Sequence, residues 1–185
     1  VARGLEKHYV LRGAGAAVRI RAQMTRPLVD LSVYDLSRTV LDKAGILASL
    51  PQRHEFEQID SICVMDVPNQ VIVGRRRVRH DEWWIRGHVP SMPLFPGVML
   101  IEASGQICAI LYKRVIPELA DRFIAFAGVD EARFRGTIRP GDEVLLVGKG
   151  LVANRRLSRC AVQALVDGRV VFECSVIGMP LPDGR

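Results

Sequence analysis

Three features of the sequence predict an α+β fold in which a curved antiparallel sheet wraps around one long central helix. The run Val98–Tyr112, VMLIEASGQICAILY, is apolar nearly all round, which marks a helix buried on most sides. Two strand-like segments precede it, and five short alternating segments follow it with turn residues between them. Strands on both sides of one buried helix, with hairpin-length connections, place the helix against an antiparallel sheet.

The elements follow in chain order. Residues 1–30 form a basic extension, with Arg3, Lys7, Arg12, Arg19, Arg21 and Arg26 against the single acid Glu6 up to Arg26. No apolar core of the secretory kind interrupts it. A disordered tail, or a translation start placed too early with Met24 the true first residue, is preferred to a transit peptide. A single domain is expected over 31–185. Helical spacing of Leu36, Val40, Leu41, Ala44 and Leu47 predicts a helix over 36–50 that Pro51 ends. Strands are predicted at 56–67 and 70–80, around a Val-Pro-Asn turn, and a short extended piece at 82–86. The buried helix should begin at Pro96 or Gly97 and run to about Val115, just before Pro117. Its small residues Ala103, Ser104 and Gly105 allow close approach of a neighbour. Strands are then predicted at 123–129, 132–138, 143–151, 157–166 and 169–179. Arg139–Asp142 (RPGD) is a turn, and Asp167-Gly168 is a hairpin signal.

A chain of 185 residues is long enough to enclose a sizeable core. No apolar segment reaches the length of a membrane span. Cys63, Cys108, Cys160 and Cys174 lie in apolar or strand-like surroundings without C-x-x-C spacing, so they read as small buried thiols of a reducing cytoplasm. No cluster has the spacing of a zinc site. The net charge is +6, with Arg75, Arg76, Arg77 and Arg79 in one run. Aromatic residues do not interleave with these arginines, which argues against nucleic acid. An acidic protein partner or a solvated sheet edge fits better.

Within the apolar helix Glu102 is the only carboxylate, and burying one is costly unless it is paired or neutral. Upstream stand His88, which exchanges a proton near neutral pH, and Pro90, Pro93 and Pro96, which stiffen the connection. Gly97 at the helix start can present its N–H to developing negative charge. An acid/base pair and an oxyanion donor beside an apolar helix suit proton abstraction next to a carbonyl. The bland alternative is a hydrogen-bonded loop histidine and a buried polar glutamate.

These residues stand in a longer pattern. GHVPSMPLFPGVMLIEASGQ, Gly87–Gln106, resembles the β-hydroxyacyl-acyl carrier protein dehydratase motif of the hot-dog fold, G-H-F-P-x-x-P-x-x-P-G-V-x-x-x-E-A-x-x-Q. VDEARFRGTIRPGDEV, 129–144, resembles the family's F-R pair followed by P-G-D, and LPQRHEF, 50–56, is a weaker third match. The likeness covers roughly 36–180. Val89 and Ser91 depart from the family's Phe and Gly, and Glu55, Glu57 and Gln58 stand where the family is commonly apolar.

The resemblance implies a hot-dog enzyme that removes water from a 3-hydroxyacyl chain held on acyl carrier protein, giving the trans-2-enoyl thioester. It implies that His88 takes the α-proton and that Glu102, from the neighbouring subunit, protonates the departing hydroxyl. It implies that Gly97 N–H binds the thioester carbonyl, with Pro96 and Val98 beside it in the substrate-binding set. Gln106 would position Glu102 or a water. Phosphopantetheine carries the substrate and no other cofactor is implied. A homodimer is implied, with a trimer of dimers as the larger assembly. Arg133, Arg135 and Arg139 become candidate contacts for the acidic carrier protein. Glu102 rather than Asp favours dehydration without isomerisation. The alternatives are a hot-dog acyl thioesterase and a non-catalytic acyl-binding or regulatory domain.

Overall fold

A computed structural model describes residues 26–181. Its six strands are β1 (Ser61–Asp66), β2 (Val71–Arg77), β3 (Ile124–Phe134), β4 (Glu143–Ala153), β5 (Ser158–Val166) and β6 (Arg169–Pro180). They form one sheet in the order β1-β2-β4-β5-β6-β3, and every neighbouring pair is antiparallel. The helices are α1 (Lys43–Ser49) and α2 (Val98–Val115).

The bounds of α2 match the sequence expectation, and Ala103, Ser104 and Gln106 through Tyr112 are all buried on it. It packs on β2, β4 and β6, with Ile107, Ile72, Leu146 and Phe172 meeting in one core. The opposite face of the sheet has its own core. Cys63, Val64, Val71, Val73, Val147 and Leu165 are covered there by Val29, Leu31, Tyr34 and Leu36. Val71 and Val73 point away from Ile72, as a two-residue period requires, so β2 is apolar on both faces. Leu28 N–H donates to Gln163 Oε1 at 2.6 Å, and Gln163 Nε2 returns a bond to the Arg26 carbonyl. Residues 26–30, counted with the basic extension in the sequence reading, therefore lie along the sheet. Most of that extension, residues 1–25, is outside the described residues.

Four expectations are corrected. The helix predicted over 36–50 is confined to α1. Leu41 exchanges backbone hydrogen bonds with Ile62 at the sheet edge, and Asp42 then caps α1 by accepting from Gly45 N–H. The first strand begins at Ser61, because a single 3-10 turn at 54–56 and the buried Gln58 occupy the preceding residues. The two strands predicted at 123–129 and 132–138 are one bulged edge strand, β3. Its register slips between Asp130 and Arg133 around Glu131, which has a positive φ of 53°. Residues 82–86 are a turn, with Ile85 N–H bonded to the Glu82 carbonyl, and not an extended piece.

The arginine run also differs from a solvated edge. Arg76 is 4% exposed and bonds Glu82 Oε2 at 2.6 Å, with its guanidinium 5.1 Å from the Phe95 ring centroid. Arg75 pairs with Glu143 and donates to the Leu36 carbonyl. The four cysteines are free and buried, and burial pushes the Cys174 thiol up to about 11.

The β5–β6 hairpin turns through Asp167 (φ 48°) and Gly168 (φ 72°), the left-handed pair that the Asp-Gly signal predicts. Gly168→Ala forces an L side chain into this region, at a cost of about 1–2 kcal/mol. A lower urea midpoint at unchanged slope is the expected result.

Candidate active site

The connection from β2 to α2 is clamped at both ends. Glu82 accepts from Arg76, from Trp84 Nε1 at 3.0 Å, and from the Arg79 N–H at 3.1 Å. Trp84 is buried and meets Phe95 edge-to-face at 5.7 Å, while Phe95 N–H bonds the Ile138 carbonyl. Between these anchors His88 N–H donates to the Trp84 carbonyl at 2.8 Å. The exposed His88 ring places Nδ1 3.0 Å from the Leu94 carbonyl. A carbonyl only accepts, so Nδ1 carries the hydrogen and the neutral ring keeps its lone pair on Nε2. The proline-rich connection thus sets the tautomer as well as the position of the His88 ring.

Glu102 sits in the second turn of α2 and is half-buried. Its Oε1 accepts from Gln106 Nε2 at 2.9 Å and from Gln52 Nε2 at 3.2 Å. With Oε1 occupied twice, Oε2 is the oxygen on which a proton can ride. Gln106 is the hub of this network: Nε2 also bonds the Phe56 carbonyl at 2.6 Å, and Oε1 accepts from Gln58 N–H at 3.1 Å. Two of the polar residues of EFEQID are thereby accounted for. Gln58 is buried against Gln106, and Glu57 pairs with Lys43 at 3.1 Å, which holds its carboxyl below the usual value. Gln52 was not among the residues singled out in the sequence. Its segment, LPQRHEF, carries the weak third match, but a lone glutamine carries no spacing signal and reaches Glu102 only through the fold.

Gly97 is the N-cap of α2, in helical conformation and without a side-chain cap. Met99 and Leu100 N–H groups bond the Pro96 and Gly97 carbonyls. The N–H groups of Gly97 and Val98 stand at the positive end of an 18-residue helix. Pro96 is buried and Val98 is 67% exposed. A Cβ on Gly97 would lie 2.7 Å from the Phe134 ring, and one on Gly105 would lie 2.7 Å from Phe126. The two glycines let the phenylalanines of β3 rest on the helix.

A cavity of about 170 Å³ opens beside Glu102, between α2 and the strands β3 and β6. Leu50, Pro51 and Gln52 form one wall, Gly105 and Ala109 another, and Phe123–Phe126 a third. The structure therefore brings Glu102 and Gln52 together at a largely apolar cavity, with Gln106 bonded to Glu102 from outside its lining. His88 of the same chain is not part of this lining. Among the described residues no group of His, Cys, Asp or Glu is placed to hold a metal ion, and no helix is long and apolar enough to cross a membrane.

Gln52→Leu removes one of the two amides on Glu102 without touching the backbone. It is expected to lower turnover about tenfold, through a misplaced carboxyl, with the thermal midpoint nearly unchanged.

A long helix, α2, held in a curved antiparallel sheet defines a hot-dog protein. The chain belongs to the FabA-like domain family, which matches residues 50–175. It is 33% identical over 138 residues to 3-hydroxyacyl-acyl-carrier-protein dehydratase FabZ of Desulfotalea psychrophila, covering 74% of this chain and 91% of that protein. The FabZ dehydratase of Solibacter usitatus is 34% identical over 138 residues, covering 75% and 84%. Among solved structures, the dehydratase heterocomplex ApeI:P from Xenorhabdus doucetiae superposes with a TM-score of 0.62 at 14% identity, over 75% of this chain and 91% of that one. That likeness shows the fold.

Proposed function

We propose that the protein dehydrates 3-hydroxyacyl thioesters carried on the phosphopantetheine arm of acyl carrier protein, in fatty acid or related lipid or polyketide synthesis. The observation that carries this reading is Glu102 at an apolar cavity, with one oxygen held by two amides and the other left to deliver a proton. His88 Nε2 removes the proton from C2. The electron pair moves into the thioester carbonyl, where Gly97 N–H stabilises the oxyanion, with Pro96 and Val98 completing this edge of the site. As the carbonyl reforms, C2–C3 becomes a double bond, the C3–O bond breaks, and Glu102 protonates the leaving hydroxyl to give water. Proton return from His88 to Glu102 closes the cycle. The reaction is redox-neutral and its acid and base are both protein side chains, so the reading includes no metal or other cofactor.

In this reading His88 of one subunit serves Glu102 of its partner. The separation of His88 from the cavity lining within one chain supports that arrangement. So does β3, an edge strand whose Phe126, Val129 and Phe134 are 44%, 38% and 53% exposed. A homodimer, or a trimer of dimers, is the expected mass by light scattering. The carrier protein is acidic, and Arg139 is the preferred contact for it. Arg133 and Arg135 share Glu173 within the chain and offer less free charge. A cytoplasmic setting fits the four free thiols.

The test follows the reverse reaction: hydration of trans-2-enoyl thioesters, read as loss of conjugated absorbance, on carrier-protein and coenzyme A substrates. Hydration supports the reading. Release of free thiol instead would make the protein a thioesterase, and tight acyl-thioester binding without either product would make it an acyl-binding domain.

A further inference from the structure

The cavity behind Glu102 is bounded by a second charged group. Glu102, Gly105, Ala109 and Lys113 share its helix wall, and a 3.6-residue repeat stacks these positions on one face of α2. At about 1.5 Å per residue, Glu102 and Lys113 are on the order of 16 Å apart along the axis. Most of the wall between them is apolar or small, but the Lys113 end is polar. Lys113 is half-buried, and its Nζ donates to the Ser49 carbonyl at 3.0 Å. Ser158 also lines the cavity. It opens β5, just past the turn whose Asn154 carbonyl takes the Tyr112 hydroxyl, so it belongs to this same end. Burial pushes the Lys113 ammonium below its usual value, and the carboxylate of Asp121 opposes that shift.

An ammonium has three N–H donors, and the Ser49 carbonyl takes one. A methyl-ended acyl chain that reached it would strip water from the charge and return nothing. A chain ending in a carboxylate would replace that water with a charge-assisted hydrogen bond. We propose that Lys113 is the specificity-determining residue of this cavity, and that the preferred substrate is a 3-hydroxyacyl thioester whose acyl chain ends in a carboxylate. The proposal rests on the dehydratase reading for the reaction, but on the cavity alone for the chain end.

The experiment pairs methyl-ended and carboxylate-ended enoyl thioesters of matched length, over a range of lengths, with wild type, Lys113→Met and Lys113→Arg. Wild type is expected to favour the carboxylate end at least tenfold in kcat/KM at its best length. Lys113→Met should reverse that preference, and Lys113→Arg should keep it. A lysine that only balances the helix C-terminus would leave the ratio unmoved in all three proteins. A wild-type preference for the methyl end, or a ratio unchanged in Lys113→Met, overturns the proposal. Calorimetry with non-cleavable thioether analogues of the same pairs separates the two readings. Carboxylate-selective binding that Lys113→Met abolishes, without turnover of any substrate, would keep the chain-end assignment and remove the dehydratase. Turnover with a methyl preference would do the opposite.

Discussion

His88→Ala is expected to lower kcat for enoyl-thioester hydration by about 10²- to 10⁴-fold, the span of a positioned acid/base group, since in this direction His88 returns the proton to C2. The fold should survive the change. The His88 ring is exposed, among the described residues it bonds the Leu94 carbonyl alone, and its backbone N–H still reaches the Trp84 carbonyl in the mutant. Trp84, Phe95 and the three prolines hold the loop without the imidazole. A thermal midpoint close to wild type and an unchanged assembly are therefore part of the result. Glu102→Gln should cost a similar factor for another reason: an amide can neither take the proton from the attacking water nor, in the dehydration direction, give it to the leaving hydroxyl, although its oxygen can still accept from Gln52 and Gln106. If the two residues act on one elimination, the double mutant should be little worse than the more damaged single mutant. Full additivity of the two losses, or turnover retained in His88→Ala, would remove His88 from the reaction.

The largest expected loss of stability is in Glu82→Ala, about 3–5 kcal/mol. Glu82 and Arg76 have side chains only 8% and 4% exposed, and burial already pulls the Arg76 guanidinium below its usual value while Glu82 supports it. Removing the carboxylate leaves a buried cation unpaired, and it also strands Trp84 Nε1 and the Arg79 N–H. Set against a total stability of about 5–15 kcal/mol, this is a large share. Urea unfolding measures it. Replacing both partners, as Arg76→Met with Glu82→Leu, should recover much of the loss, because no charge is then left without a partner. The fraction of Glu82→Ala that remains folded should also turn over more slowly, since the Trp84 carbonyl that holds His88 hangs from this cluster. An unchanged urea midpoint would mean that Arg76 finds water or another acceptor in the mutant.

The parts of the molecule that were legible in the sequence are those governed by local periodicity and turn chemistry. α2 shows in its continuous apolar run, and the β5–β6 hairpin in Asp167-Gly168. His88, Gly97 and Glu102 are visible because their spacing along one loop and one helix is a property of the chain itself. The misreadings share a cause. Leu36–Val40 has helical spacing, but Leu41 gains more from pairing with Ile62 than from extending α1. β3 looked like two strands because a bulge at Glu131 interrupts its alternation without ending its pairing. Arg76 looked like a surface charge because its partner, Glu82, lies beyond the strand, in a turn whose shape no period announces.

By itself, then, the order of residues determined the central helix, the meander that follows it, and the set separation of a histidine and a glutamate, the proposed base and acid. Tertiary structure alone decided their working state. Folding brings the Leu94 carbonyl to Nδ1 of His88 and leaves the ring's lone pair on Nε2. It carries Gln52, fifty residues away in the chain, to the same carboxylate oxygen that Gln106 holds from one turn along the helix. It also places Lys113 at the polar end of the cavity that Glu102 lines. Hydrogen-bond partners and cavity walls of this kind are contacts between elements distant in sequence. Spacing along one helix or strand records a face, but it does not record what packs against that face.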